Sequence, residues 1–180
     1  MLDVLAAQWR RGAARLVLLA CLPMLAACSP DYNWRELTVA DGHARAAFPA
    51  RAQTDTRRVM LAGEPLEFSV AASTVNDAMF AVNYAPWPAG WAADDARRAV
   101  VAQAVARSAY INLQVQHDAP LPVDGAAMSV RGAGERAGTW SMSRVWATPH
   151  GVVQALALGS EVSLPAERAR EFMDQVVIAP

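Results

Sequence analysis

The sequence contains no lysine: all 16 of its basic residues are arginine. Together with the heavy use of alanine, this indicates a GC-rich genome rather than a functional requirement. There are only two cysteines, Cys21 and Cys28, and three histidines, His43, His117 and His150. None of them forms a Cys-x-x-Cys or His-x-x-x-His pair, the spacings that commonly hold zinc. We therefore expect no metal site and no cofactor.

Motifs for nucleophilic or phosphate chemistry are also missing. No Gly-x-Ser-x-Gly elbow is present. A Ser-His-Asp triad assembled from distant positions stays open as an alternative. Gly132, Gly134 and Gly138 do not have phosphate-loop spacing, and a strand is predicted after them rather than a helix. Asp94 and Asp95 are adjacent on a predicted helix and do not share a face, so they do not form a pair of catalytic acids. Acidic residues are favourable in the first turn of a helix, and we expect them there. We expect a protein that is not an enzyme.

The N-terminus has the layout of a secretory signal. The first 15 residues contain three arginines and one acid, namely Arg10, Arg11, Arg15 and Asp3. Residues 16–27 are uncharged and mostly aliphatic. The apolar run is shorter than the roughly 20 residues that span a bilayer. A basic segment before a short apolar run predicts a signal peptide over residues 1–27.

The run ends in Leu25-Ala26-Ala27-Cys28, which resembles the bacterial lipobox. The resemblance implies cleavage before Cys28 and attachment of lipid to its thiol. The alternative is a secreted protein with Cys28 free, but unpaired thiols are unusual in an oxidising compartment. Ser29 follows where aspartate would retain a lipoprotein at the inner membrane, so we expect the periplasmic face of the outer membrane. The lipid would be the contact with the membrane.

The predicted mature chain has 180 − 27 = 153 residues. Residues 28–33 read as a lipidated tether and residues 34–180 as a single domain with one core. Without the signal peptide, 16 − 3 = 13 arginines stand against 17 − 1 = 16 acids, a difference of −3. Nucleic-acid-binding proteins carry a basic surface, so this balance excludes that class.

Alternating apolar residues and turn signals predict short strands along most of the domain. Asp41-Gly42, residues 62–65 and Asn76-Asp77 supply turns between them. The predicted strands cover residues 37–40, 43–48, 57–61, 66–72, 79–84, 110–116, 127–131, 140–147 and 152–158.

Two helices are predicted among these strands. The first covers residues 93–109, with a small-residue face of Val100, Val101, Ala104, Val105 and Ser108. The second begins at Ser163-Leu164-Pro165. Ala169, Phe172, Met173 and Val176 form its buried face. Strands joined mostly by turns, together with two helices, predict an α+β domain in which helices cover an antiparallel sheet.

Several short sequence segments of the domain are similar to those of the Mog1/PsbP-like fold found in small bacterial envelope proteins. They are Ala46-Ala47-Phe48-Pro49, the strand that ends at Pro86, Ser143-Arg144-Val145-Trp146 and the terminal helix with Phe172. The resemblance covers the chain from about Trp34 and implies an α/β/α sandwich with a non-enzymatic binding or accessory role. It transfers no catalytic residue, and a fold alone does not establish a function.

Tyr84, Trp87 and Trp91 concentrate large aromatic side chains around two prolines. They are candidates for a shallow platform that binds a partner peptide or an apolar ligand. The simpler interpretation is that both tryptophans fold inward, since tryptophan is usually largely buried.

The favoured hypothesis is a membrane-anchored accessory or binding lipoprotein that faces the periplasm and contacts another envelope protein. One alternative is an envelope hydrolase whose site gathers His117 or His150 with a serine and an acid. Another is a carrier of a small apolar ligand, which requires a deep cavity between the sheet and the helices.

Overall fold

The computed structural model describes residues 32–91 and 93–179. The predicted signal peptide and Cys28 lie outside these residues. The compact unit begins at Tyr32. Its elements are β1 (Arg35–Val39), β2 (Ala44–Phe48), β3 (Gln53–Leu61), β4 (Glu64–Val75), β5 (Ala78–Pro86), α1 (Asp95–Asn112), β6 (Met128–Arg131), β7 (Thr139–Ala147), β8 (Gly151–Ser160), α2 (Ala166–Asp174) and β9 (Val177–Ile178).

Six strands form an antiparallel sheet in the order β3-β4-β5-β8-β7-β6. Two-residue turns close its first two hairpins. Ala62 and Gly63 have φ of 52° and 83°, and Asn76 and Asp77 have φ of 49° and 65°. Positive φ at both central residues matches the twist of paired strands, and Gly, Asn and Asp adopt it most easily. These turns therefore fix the β3–β4–β5 meander.

The middle of the sheet is the pairing of β5 with β8, which runs from Met79 opposite Leu158 to Pro86 opposite Gly151. A Cβ at Gly151 would lie 2.3 Å from the carbonyl oxygen of Ala85. Glycine is therefore required where β8 enters the sheet beside the end of β5.

One face of the six-stranded sheet packs on α2 and on a three-stranded sheet in the order β1-β2-β9. The ring of Phe172 lies 5.6 Å from that of Phe48 and 5.4 Å from that of Phe80 between centroids. All three side chains are buried. The burial predicted for Ala169, Phe172, Met173 and Val176 is confirmed, since they are at most 7 % exposed, although α2 ends at Asp174 and Val176 follows it.

The opposite face of the six-stranded sheet packs on α1. Asp94 caps this helix by accepting a hydrogen bond from the backbone N–H of Arg97 at 3.0 Å. Small side chains on its buried face bring the helix axis close to the sheet. They are Val101, Ala102, Val105, Ala106 and Ala109. The described chain is therefore a mixed α+β domain with a helix on each face of an antiparallel sheet, as its sequence predicts.

The predicted strand over residues 110–116 is wrong. The helix α1 continues to Asn112, and Gln114 in the following turn has φ of 58°. Val105, Ala109 and Leu113 are all buried and are spaced four residues apart. That helical period continues through the residues predicted as a strand, which explains the longer helix.

Two further expectations are corrected. Val100, expected on the buried face of α1, is 57 % exposed, because the buried face is shifted toward the alanines. Nor do all the strands form one sheet. Val177 and Ile178, for which no strand is predicted, pair with Arg45 and Ala44 and complete the separate three-stranded sheet.

Across the described residues, no helix combines the length and apolar character needed to cross a membrane.

We expect Phe172→Ala to lower the free energy of unfolding by about 3–5 kcal/mol, because it leaves a cavity where three phenylalanine rings meet. Val177→Ala, at a position that is 50 % exposed, is the control and should change stability much less. Urea denaturation followed by tryptophan fluorescence measures both. Equal effects would contradict the central place of Phe172 in the core.

Candidate functional site

The concave feature that best fits a ligand is a cleft of about 320 Å³ between α1 and the outer half of the sheet. It forms because α1 packs mainly over β7 and β8. The strands β3 and β4 therefore extend beyond the cover of the helix. The side chains that line the cleft are Arg57, Val59, Leu61, Phe68, Val70, Asn83, Val105, Ser108, Asn112, Gln154 and Leu156.

The cleft wall formed by β3 and β4 is apolar. Val59 pairs with Leu66, and Arg57 pairs with Phe68. Directly opposite residues point to the same side of a sheet. The strand alternation therefore places Val59 and Leu61 on the face that carries Phe68. Val59 is 40 % exposed, which leaves apolar surface available in the cleft.

Two amide side chains form the polar part of the cleft. Asn83 and Gln154 are direct cross-strand partners, and Asn83 Nδ2 donates to Gln154 Oε1 at 3.0 Å. Gln154 Nε2 in turn donates to the carbonyl oxygen of Val105 at 3.3 Å. This chain of hydrogen bonds holds α1 at a fixed place on the sheet, and it puts amide groups beside the apolar wall.

Arg57 supplies the charge at the rim of the cleft. Its Nε donates to Asp55 Oδ2 at 2.9 Å. That hydrogen bond, followed by one from the backbone N–H of Thr56, lowers the pKa of the Asp55 carboxyl. Arg57 is the only ionisable side chain among the cleft residues. The arrangement suits a ligand with an apolar body and a group that hydrogen-bonds, and the residues that line the cleft include no histidine or carboxylate.

The predicted aromatic platform is divided between the two faces of the sheet. Tyr84 is 2 % exposed within the core that contains Phe172, and its Oη donates to the carbonyl oxygen of His150 at 3.3 Å. Trp87 and Trp91 lie against the other core. The structure therefore brings the two tryptophans together and places Tyr84 away from them.

The two tryptophans differ in exposure. Trp91 is 7 % exposed, and the guanidinium of Arg97 lies 4.2 Å from its ring centroid. Trp87 is half-buried, stacks on Trp91 at 6.3 Å and donates from Nε1 to the carbonyl oxygen of Thr148 at 2.8 Å. It also borders a second cleft of about 640 Å³. Trp87 thus offers the accessible surface of the pair.

The histidines lie in two separate places. His43 and His150 stack with centroids 4.1 Å apart and planes at 11°, which joins a turn of the small sheet to a turn of the large one. His117 lies 4.6 Å from the ring of Tyr110. Within the described ranges no group of three or more His, Cys, Asp or Glu side chains is placed to hold a metal ion.

Sequence reasoning missed the cleft and the pairing of Asn83 with Gln154. The available signal was a polar residue at the centre of each of two apolar strands. Gln154 is 5 % exposed, and a buried amide generally has a hydrogen-bond partner on another element.

Comparisons with protein-family models, with curated proteins and with solved structures found no match to this chain.

Burial raises the pKa of the Tyr84 phenol above its ordinary value, and the negative charge of Asp41 adds to this. The folded state therefore holds this proton more tightly than the unfolded state. The resulting stability is present below about pH 10 and is lost as the pH rises further. We expect the melting temperature of the wild type to fall more steeply above about pH 10 than that of Tyr84→Phe.

Differential scanning fluorimetry across this pH range measures the difference. The comparison is direct because the sequence has no lysine, whose titration would otherwise overlap with that of tyrosine. Tyr32 and Tyr110 are present in both proteins and contribute equally. Parallel pH profiles would show that ionisation of Tyr84 is not linked to folding.

Proposed function

We propose that this protein is a lipid-anchored, non-enzymatic binding or accessory protein of the bacterial envelope, held on the periplasmic face of the outer membrane. The observation that carries the proposal is Leu25-Ala26-Ala27-Cys28 at the end of a short apolar run that follows three arginines. Each methylene of an acyl chain buried in a bilayer contributes about 0.8 kcal/mol. Several chains on Cys28 would therefore keep the protein on the membrane.

The domain architecture supports a Mog1/PsbP-like fold as part of this proposal. An antiparallel sheet with one helix on each face is the layering that the resemblance implies. The separate sheet of β1, β2 and β9 adds to the α2 side. A fold of this kind is a scaffold for binding surfaces, and the chemistry of those surfaces decides the function.

The proposed partner is another envelope protein, and the surface around Trp87 is the proposed contact. Its indole is half-buried and fixed by the hydrogen bond to Thr148. A rigid, partly exposed tryptophan loses little side-chain entropy on binding, and tryptophan is enriched among residues that dominate interfaces. Arg98 and Pro149 border the same cleft.

Metabolic labelling with an alkyne-tagged palmitate tests the anchor. We expect label on the wild-type chain and on Cys21→Ser, but not on Cys28→Ser, because only the Cys28 thiol would receive lipid. Membrane fractionation should show the wild-type chain in the outer membrane. Label that persists in Cys28→Ser would contradict the anchoring site.

Crosslinking in the same cells tests the partner. An envelope protein that crosslinks to the wild-type chain and is lost from both Cys28→Ser and Trp87→Ala supports the proposed contact. A partner that is unchanged in Trp87→Ala places the contact elsewhere. Val162→Ala, at a position 92 % exposed outside the Trp87 cleft, is the control for surface substitution.

A second candidate function, carriage of a small apolar ligand, is favoured by the cleft beside α1. Its volume of about 320 Å³ lies at the lower end of the roughly 300–1,000 Å³ range of small-molecule sites. Its combination of an apolar wall with a few fixed polar groups is also typical of such sites. The envelope-hydrolase alternative needs a serine, a histidine and an acid in one pocket, and the cleft residues include no histidine.

We expect Val59→Trp to weaken binding of an environment-sensitive apolar probe, such as a dansylated fatty acid, by about tenfold or more, because the indole would fill the cleft. Met60→Trp is the matched control, since Met60 is the next residue of β3 and points to the opposite side. Fluorescence titration measures both affinities. Equal affinities in the two variants would contradict ligand binding at the cleft.

A further inference from the structure

The strand β3 is a long open edge of the six-stranded sheet. Among the described residues no strand pairs with its outer side, and every residue from Gln53 to Met60 is exposed. The opposite edge, β6, has only four residues. An exposed edge of this length presents a row of unpaired backbone N–H and C=O groups that can pair with another strand.

The hairpin with β4 decides which backbone groups of β3 point outward. A two-residue turn makes Leu61 and Glu64 a hydrogen-bonded pair, in which both residues exchange N–H···O=C bonds. Every second residue of β3 then directs its backbone groups toward β4. Thr54, Thr56, Arg58 and Met60 are the intervening residues, and their backbone groups point away from the sheet.

We propose that a second copy of this chain pairs with β3, with the two strands antiparallel about a two-fold axis beside Thr56. The two copies of Thr56 then lie opposite each other and exchange both backbone hydrogen bonds. Thr54 of each copy lies opposite Arg58 of the other. These are the residues whose backbone groups point outward, so the pairing satisfies them without moving the strand.

Charge complementarity selects this register. In it, Asp55 of each copy lies directly opposite Arg57 of the other. Asp55 and Arg57 already form an ion pair within one chain at 2.9 Å, so the two copies create a group of four alternating charges. Oppositely charged residues that face each other across antiparallel strands stabilise the pairing, and like charges destabilise it.

Other axes along the strand bring like charges together. An axis beside Asp55, Arg57 or Arg58 would place that residue opposite its own copy. An axis beside Thr54 would place Arg57 opposite Arg51. From Thr54 to Arg58, only the axis beside Thr56 therefore avoids facing like charges.

The symmetry also relates the two clefts. A two-fold axis perpendicular to the sheet keeps the same face of both copies on the same side. Because Arg57 and Val59 line the cleft and also lie in the paired strand, the clefts would open side by side. This inference does not depend on the lipid anchor, since it rests on the edge strand alone.

The test is crosslinking of full-length Thr56→Cys with a short, membrane-permeant bismaleimide, in cells that produce two differently tagged copies. Across the axis the two Cα atoms at position 56 are about 5.5 Å apart. Thr54→Cys is the matched control, because its two copies would be offset by four residues, or about 14 Å along the strands. The wild-type chain measures any background from Cys21 and Cys28.

We expect a product that carries both tags with Thr56→Cys and at least fivefold less of it with Thr54→Cys. Adding Asp55→Arg to Thr56→Cys should reduce the product severalfold, because the arginine introduced in each copy would then face Arg57 of the other. Adding Arg57→Asp as well should restore it, because the pairs are re-formed with the charges exchanged. All these positions are exposed, and thermal unfolding of each variant verifies that the fold is retained.

Three results would overturn the proposal. One is the absence of a two-tag product from a folded Thr56→Cys chain. The second is an equal yield at positions 54 and 56, which would indicate a different register or random collision. The third is a product of Thr56→Cys with a different protein in place of the second tag, which would assign the edge to another partner.

Discussion

The pairing of β5 with β8 is the constraint on which the rest of the structure depends. These strands form the middle of the sheet, and both faces of the sheet are buried there. On one side Phe80 meets Phe172, and on the other side Val152 packs in the core beneath α1. The register of β5 against β8 therefore determines where both helices pack, and it joins the two halves of the chain.

The position of α1 explains why the protein has a cleft at all. Alanine and valine on its buried face allow close approach to the sheet, and Gln154 fixes the helix through the carbonyl oxygen of Val105. With α1 held over β7 and β8, Val59, Leu61 and Val70 of β3 and β4 stay partly uncovered. The same amide that holds the helix thus lies beside the surface that it leaves open.

Local chemistry made much of the fold predictable from the sequence. Two-residue turns with Gly, Asn or Asp define hairpins, and the helical spacing of Ala169, Phe172 and Met173 marks the buried face of α2. The true end of α1 escapes prediction because residues 110–116 alternate like a strand, whereas Leu113 continues the helical period. The alanines of α1 carry too little hydrophobicity for a pattern to separate its buried face from its exposed one.

The clefts and the edge could not be predicted in the same way, because they depend on distant parts of the chain. The hydrogen bond between Asn83 and Gln154 requires β5 and β8 to be adjacent, and no local sequence pattern predicts that adjacency. The separation of Tyr84 from Trp87 and Trp91 depends on which side of the folded sheet each side chain faces. By contrast, the proposed lipobox is read entirely from neighbouring residues.

The position of β9 in the small sheet has a consequence for biosynthesis. Ile178 pairs with Ala44, so the small sheet is completed only after the chain has been synthesised 178 − 44 = 134 positions beyond Ala44. Until β8 emerges, the β3–β4–β5 meander ends in a strand whose other edge has no partner. A nascent chain in that state carries an exposed apolar strand, and such strands aggregate or recruit chaperones. An unpartnered edge of β5 in the incomplete chain is therefore a consequence of the order of the strands in the sheet.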